Sequence, residues 1–501
     1  MNRYQKVILL LLGGITLALL MSRSADTDRE SNRLKKSVNR QDFVRPKSSV
    51  RRPSSVNRQG FENRPSSVNI PWPHTSNLPI VIIDTNGRWI PDEPKIPARM
   101  KIIYDESGDR NSFDSPHIHF NGKIGIEVRG QTSQMFPKKQ YGFEFQDDKG
   151  NDKDISIFGL PAESDWVLNG PYSDKTLMRN YLAFEFSNRI GRYATRTKFV
   201  EVFLNTNGDK TIKSQHYVGV YLLIEKIKRG KERIPIQSLQ PTHNKPPEIT
   251  GGYIIKIDKM DRNEIFFYTR QGTHLAHVHP KGREMTHAQR VWIQNYMSEF
   301  EAALASPEFK DPKRGYAKYI DVDSFIDHFI INELFKNTDG FRYSAYMYKD
   351  RGGKLTAGPV WDFNLSIGNT IFHQGWETDS WLIYTNPVPF WWDRLLSDKN
   401  FKQKLVKKWK TLRKNELVTS KILDEIDRTA EYLSEAQKRN FQRWRVLGRS
   451  IFGNPGPGHR TYQGEVDEMK TWLQVRLKWM DKHIELLPQK QKYQYPQRRR
   501  Y

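Results

Sequence analysis

Asn337 to Gly368 reads NTDGFRYSAYMYKDRGGKLTAGPVWDFNLSIG. Two polar islands, one around Asp339 and one around Asp362, flank a hairpin pattern. Tyr343, Ala345 and Met347 alternate with Ser344, Tyr346 and Tyr348, Asp350-Arg351-Gly352-Gly353 makes a turn, and Lys354-Leu355-Thr356-Ala357 starts the return strand. One hairpin therefore carries two carboxylates toward each other. A phosphotransferase acting on a Mg-nucleotide needs such a pair: one group orients the attacking hydroxyl and takes its proton, and the other holds Mg²⁺ against the phosphates. Two turn-forming aspartates would have the same spacing, so spacing alone does not choose.

Other segments fall into order around this one. Val128-Arg129-Gly130-Gln131-Thr132-Ser133 leads to Phe136-Pro137-Lys138-Lys139-Gln140-Tyr141. Trp166-Val167-Leu168-Asn169-Gly170 leads to Asp174, Arg179 and Asn180, and Gly219 to Glu225 reads GVYLLIE. With Asp339-Gly340, Tyr346-Met347-Tyr348, Gly358 to Asn364 and Gly368, they resemble the spore coat protein H (CotH) kinase family of atypical, protein-kinase-like enzymes. The resemblance runs from about Leu78 to about Leu487. It implies an α+β, protein-kinase-like two-lobed fold. A β-rich small lobe would span about 78–260 and a mostly helical large lobe about 261–487, within a domain at 73–487.

The resemblance also implies ATP with Mg²⁺ (or Mn²⁺) and a set of roles. Asp339 matches the catalytic aspartate and Asp362 the metal aspartate. Arg129, Gly130 and Ser133 sit where a kinase's phosphate-covering loop would sit, although no GxGxxG pattern is present. Lys138 or Lys139 would reach the α/β-phosphates. Lys139 shares strand parity with Tyr141 and Phe143, which favours it as the inward residue, with Glu185 as a candidate partner. Glu225 stands at the hinge position, to hold a ribose hydroxyl or the linker between lobes. Two positions depart from the pattern. Ser344 replaces a metal-binding Asn, and Asn364 stands where relatives often carry a second Asp. Weaker metal affinity and an inactive, nucleotide-binding fold both remain open.

Composition bounds the partners. A net charge of +24 favours anionic ones. No nucleic-acid module motif is present, so no specific nucleic acid is expected. The absence of cysteine excludes disulfides, thiolate metal sites, a cysteine nucleophile and a lipidated N-terminal cysteine. Arg3 and Lys6 precede an apolar run from Val7 to Met21, the pattern of a signal peptide or signal anchor at 1–21. Residues 22–72 read as a disordered basic linker rich in Ser, Arg and Pro. It holds near copies of one motif: Arg45-Pro46-Lys47-Ser48-Ser49-Val50, Arg52-Pro53-Ser54-Ser55-Val56 and Arg64-Pro65-Ser66-Ser67-Val68. Residues 488–501 form a basic tail.

Strand patterns are expected at 79–83, 98–104, 123–128, 140–145, 199–204 and 217–224, with a helix at Lys175–Ile190 and mostly helices from Thr286 onward. His274, His277 and His279 form an HxxHxH pattern; on a strand His277 and His279 would share a face and could ligate a metal, but the three read better as surface or loop histidines. Neither GxSxG nor Walker A occurs. The expected function is an exported Ser/Thr protein kinase, membrane-anchored or secreted, acting on a basic serine-rich coat or surface protein. Its own linker is a candidate target, and the spore coat is the expected location if the organism sporulates. The alternatives are an inactive CotH-like adhesion or structural protein, and another nucleotide-dependent transferase on the same fold.

Overall fold

The computed structural model describes residues 75–488 apart from 109, 262, 263 and 386. The signal or anchor at 1–21, the linker at 22–72 and the tail beyond 488 lie outside the described residues. The chain is mixed α+β. Its first half closes a seven-stranded barrel. The strands are β1 (Ile80–Asp84), β2 (Ile96–Ile103), β3 (Ile118–Arg129), β4 (Gln140–Gln146), β5 (Asp165–Asn169), β6 (Thr197–Asn205) and β7 (Tyr217–Glu225). Around the barrel the order is β1-β2-β3-β4-β5-β7-β6. All neighbours are antiparallel except β1 and β6, which close the ring in parallel.

Alternation makes the barrel. Ile124 and Ile126, Tyr141, Phe143 and Phe145, Trp166 and Leu168, and Tyr221 and Leu223 fill one buried cluster. The opposite faces of β5 and β7 also carry apolar side chains, Val167, Val220, Leu222 and Ile224. These join the main core with helix α1 (Arg179–Arg189). Helix α1 begins four residues later than its periodicity predicts. The Asp174 carboxylate accepts from the backbone N–H of Thr176 and of Arg179 (3.0 and 2.9 Å), and Leu177 adopts a left-handed φ of 65°, so the chain turns before it coils.

A second sheet has the order β9-β10-β8-β11-β12. Here β8 is Tyr253–Ile257, β9 Phe266–Tyr268, β10 His274–His279, β11 Ala345–Lys349 and β12 Leu355–Ala357. The expected hairpin is β11–β12, with Met347 opposite Ala357 and Lys349 opposite Leu355. The histidines sit on strand β10 rather than on a loop, and His277 is buried. The rest is helical: α2 (His287–Ala305), α3 (Val322–Leu334), α4 (Leu382–Thr385), α5 (Trp391–Leu396), α6 (Lys399–Lys414), α7 (Thr419–Tyr432), α8 (Ala436–Arg443) and α9 (Tyr462–His483). Thr286 and Gln289 cap α2 reciprocally, and Asp321 caps α3. Among the described residues no helix is long and apolar enough to cross a membrane.

Candidate functional site

A cavity of about 1310 Å³ lies where the β3–β4 loop, the start of α1, the second sheet and the loops around Asp339 and Asp362 meet. It is lined by Asp339, Ser344, Asp362 and Asn364, and by Arg129, Gly130 and Ser133. The two polar islands are tied together directly. The Asn337 side-chain amide donates to the Trp361 carbonyl at 3.3 Å, and the N–H of Ile367 donates to Phe335 O at 2.7 Å.

The Asp339 loop hangs from the end of α3. Asn337 N–H donates to Asn332 O at 3.0 Å, and a His328 ring nitrogen lies 3.0 Å from Gly340 O. Position 340 must be glycine here, because a Cβ would stand 1.8 Å from Asn332 Oδ1. The Asp339 carboxyl is pushed up to about 6, first by burial and then by the Asp362 carboxylate; Lys259 and Arg342 offset part of this. Arg342 Nε lies 3.8 Å away.

Asp362 and Ser344 both take left-handed backbone conformations, with φ of 55° and 51°. Non-glycine residues adopt these at a cost and only where surroundings hold them. The Asn364 amide donates to Asp362 Oδ1 at 2.7 Å, and its own oxygen accepts from Asn180 at 3.1 Å. Asn364 therefore turns its amino group, not its oxygen, toward Asp362. That makes it a brace for the carboxylate rather than the metal ligand expected of it. The Asp362 carboxylate and the Ser344 hydroxyl, in the same cavity as Asp339, are a fitting donor set for a hard divalent cation that takes its remaining ligands from phosphates and water. Among the described residues no three His, Asp or Glu side chains form an all-protein cage.

The expected lysines do not reach the cavity. Lys138 is buried beneath the barrel wall, donating to Val220 O (2.6 Å) and Asn440 Oδ1 (2.9 Å), and burial holds its pKa well below the usual lysine range. Lys139 donates to Gln134 O at 2.5 Å. Strand parity does not set their direction, because β4 starts at Gln140 and both lysines precede it. Glu225 is also withdrawn. Fully buried, it takes the Arg196 guanidinium at 2.7 Å and the Tyr193 hydroxyl at 3.1 Å, which leaves no hinge or ribose role in the cavity. Glu185 pairs with Arg189 on its own helix.

Other cations line the cavity. Arg129 lies over the Trp361 ring (5.6 Å to the centroid), and Lys259 over Tyr343 (5.0 Å). Lys256 on β8 pairs with Glu264 at 2.8 Å and Asp258 at 2.9 Å. Burial opposes its charge, but the groups around it, the Asp258 and Glu264 carboxylates among them, outweigh burial and hold its pKa above the usual lysine range. The sequence held one signal for it, a lysine inside the apolar run Tyr253–Ile257 with an acid directly after it. His277, lowered to about 4 by burial, and Glu264 also line the cavity; both His277 ring nitrogens and Glu264 Oε2 are buried without hydrogen-bond partners.

Comparison with known proteins gives the family. The family model described as CotH kinase protein matches residues 126–480. The chain belongs to the CotH kinase family. It is also 22% identical to the inner spore coat protein H of Bacillus subtilis (strain 168) over 293 residues, 58% of this chain and 67% of that relative. The family match begins within β3 and ends within α9, so it takes in every segment that lines the cavity from Glu127 onward.

Proposed function

We propose that this protein is an atypical protein kinase that transfers the γ-phosphoryl group of Mg-ATP to serine or threonine of a basic coat or surface protein. In this reading the barrel stands as the small lobe of a protein-kinase-like, two-lobed arrangement and the helical half as the large lobe. The observation that carries it is the pairing of Asp339 and Asp362 in one cation-lined cavity, with Asp339 raised to about 6. Above that pH Asp339 is ionised. It orients the acceptor hydroxyl and takes its proton as the serine oxygen bonds to the γ-phosphorus and the bond to the β–γ bridging oxygen breaks, leaving ADP. Asp362 and the Ser344 hydroxyl would hold Mg²⁺, which neutralises phosphate charge. Arg129 and Lys259 would take phosphate oxygens, with Gly130 and Ser133 offering backbone N–H groups. Lys256 with Glu264 takes the place of the lysine–acid pair that Lys138 and Lys139 do not supply.

Membership of the CotH kinase family and the name of the Bacillus relative support a coat-associated location, reached by export through the Val7–Met21 segment. Each phosphate would add about −1.5 to −2 charges to a cationic substrate and convert repulsion into cross-chain pairing. The withdrawn Lys138 and Lys139 favour a second reading, an inactive fold that serves as a surface adhesion or structural protein. Intact mass of the 22–501 fragment after incubation with ATP and Mg²⁺ or Mn²⁺, with and without a basic serine-rich protein, separates these readings. Phosphate-sized gains support the kinase, AMP-sized gains mean nucleotidyl transfer, and no gain on either protein means a binding-only fold.

A further inference from the structure

The first turn of α1 grips the loop that carries Asp362. Asn180 Oδ1 accepts the backbone N–H of Phe363 at 2.6 Å. Its amino group donates to Asn364 Oδ1 and to Asn169 Oδ1, both at 3.1 Å. Asn169 in turn donates to Gln140 Oε1 at 2.9 Å, on the residue that opens β4 after the Arg129–Ser133 loop. Beside it, Arg179 donates through Nε to Ser366 O at 3.1 Å. An unbroken amide chain thus runs from the phosphate-loop strand to Asp362: Gln140, Asn169, Asn180, Asn364, Asp362. Asn169 and Asn180 are almost fully buried, so their groups have no water to fall back on.

We propose that Asn180 is the positioning residue of the metal loop, acting on Asp362 through Phe363 and Asn364. This rests on the nucleotide reading of the cavity. The direction of the hydrogen bonds gives Asn364 its purpose. An aspartate there could not donate to Asp362, whereas the asparagine locks one carboxylate oxygen and leaves the other for the cation. The departure at 364 is then a site with one charged ligand held rigidly, not a site that has lost its function. Groups that orient a ligand in this way typically govern metal affinity by about 10- to 100-fold.

The test is Mn²⁺ binding in the presence of a non-hydrolysable ATP analogue, read by electron paramagnetic resonance, with thermal unfolding of each variant alongside. Asn180→Asp keeps the acceptor for Phe363 N–H and loses both donors. It should weaken Mn²⁺ binding by about tenfold. Asn364→Ala should do the same, and the double variant should lose no more than either alone, because both act on one chain. Mn²⁺ affinity equal to the parent in Asn180→Asp, whatever its melting temperature, would overturn the positioning role and leave the kinase reading standing. So would additive losses in the double variant. A parent that binds no Mn²⁺-nucleotide would overturn both.

Discussion

Asp339 is charged at a place that disfavours charge, and this sets its behaviour with pH. Its folded pKa of about 6 lies above the ordinary value of 3.8. Its contribution to stability is therefore greatest below the unfolded value and is lost as pH rises through about 6. Asp339→Asn should accordingly raise stability at pH 7.5 by on the order of 1–3 kcal/mol while abolishing transfer; equilibrium urea unfolding beside an activity assay checks both. The same group predicts an acid limb. kcat/KM should fall below about pH 6 as Asp339 takes a proton, and a limb unchanged in a pH profile would remove it as the base. At this scale the sequence reading was uneven. Asp339, Ser344, Asp362, Arg129, Gly130 and Ser133 do line one cavity, because a hairpin and a strand-flanking loop fix where they go. Lys138, Lys139 and Glu225 do not, because a lysine next to a strand start carries no sign of which side it faces. Nor does an acid at a strand end show whether an arginine from elsewhere claims it.

The elements that aim the site were only half legible. The hairpin β11–β12 follows from alternation and a glycine turn, and strands β1 to β4, β6 and β7 from β-rich runs, although β3 starts at Ile118 rather than at 123 and β5 is not among the expected strands. The late start of α1 does not follow from periodicity, because it depends on one side chain. Asp174 holds the N–H groups of Thr176 and Arg179 and also pairs with the Arg179 guanidinium at 2.5 Å, all of it buried. Asp174→Ala leaves a buried arginine uncompensated. It should cost about 3–5 kcal/mol by chemical denaturation. Because Arg179 also holds Ser366 O, the loss should reach the Asp362 loop as weaker Mn²⁺ binding. His328 and Asn332 were invisible for a related reason, and Lys256 carried only the faint signal of a lysine in an apolar run. Each is an ordinary residue in an apolar stretch whose role appears only when a loop from elsewhere lands on it.

For the whole molecule, the order strand, loop, strand, helix, strand, strand was readable except for β5, which stands between β4 and α1, and the closed barrel was not readable. Closure depends on β1 pairing in parallel with β6, a long-range contact that no local pattern announces. Barrel and helices are joined by a buried ionic network. Glu201 on β6 takes the Arg439 guanidinium of α8 at 2.6 Å and the hydroxyls of Ser76 and Tyr217. Arg439→Ala should therefore destabilise the whole protein by about 3–5 kcal/mol in a single cooperative transition. Two transitions by calorimetry would instead show that the barrel and the helical half fold independently. In the proposed function Asp339 and Asp362 serve phosphoryl transfer. The most direct test of this role follows γ-phosphate from ATP into a basic serine-rich protein, comparing the parent with Asp362→Ala at matched folding by circular dichroism. Phosphoserine is expected with the parent and none with the variant. Equal incorporation by both, or none by the parent with either Mg²⁺ or Mn²⁺, would contradict it.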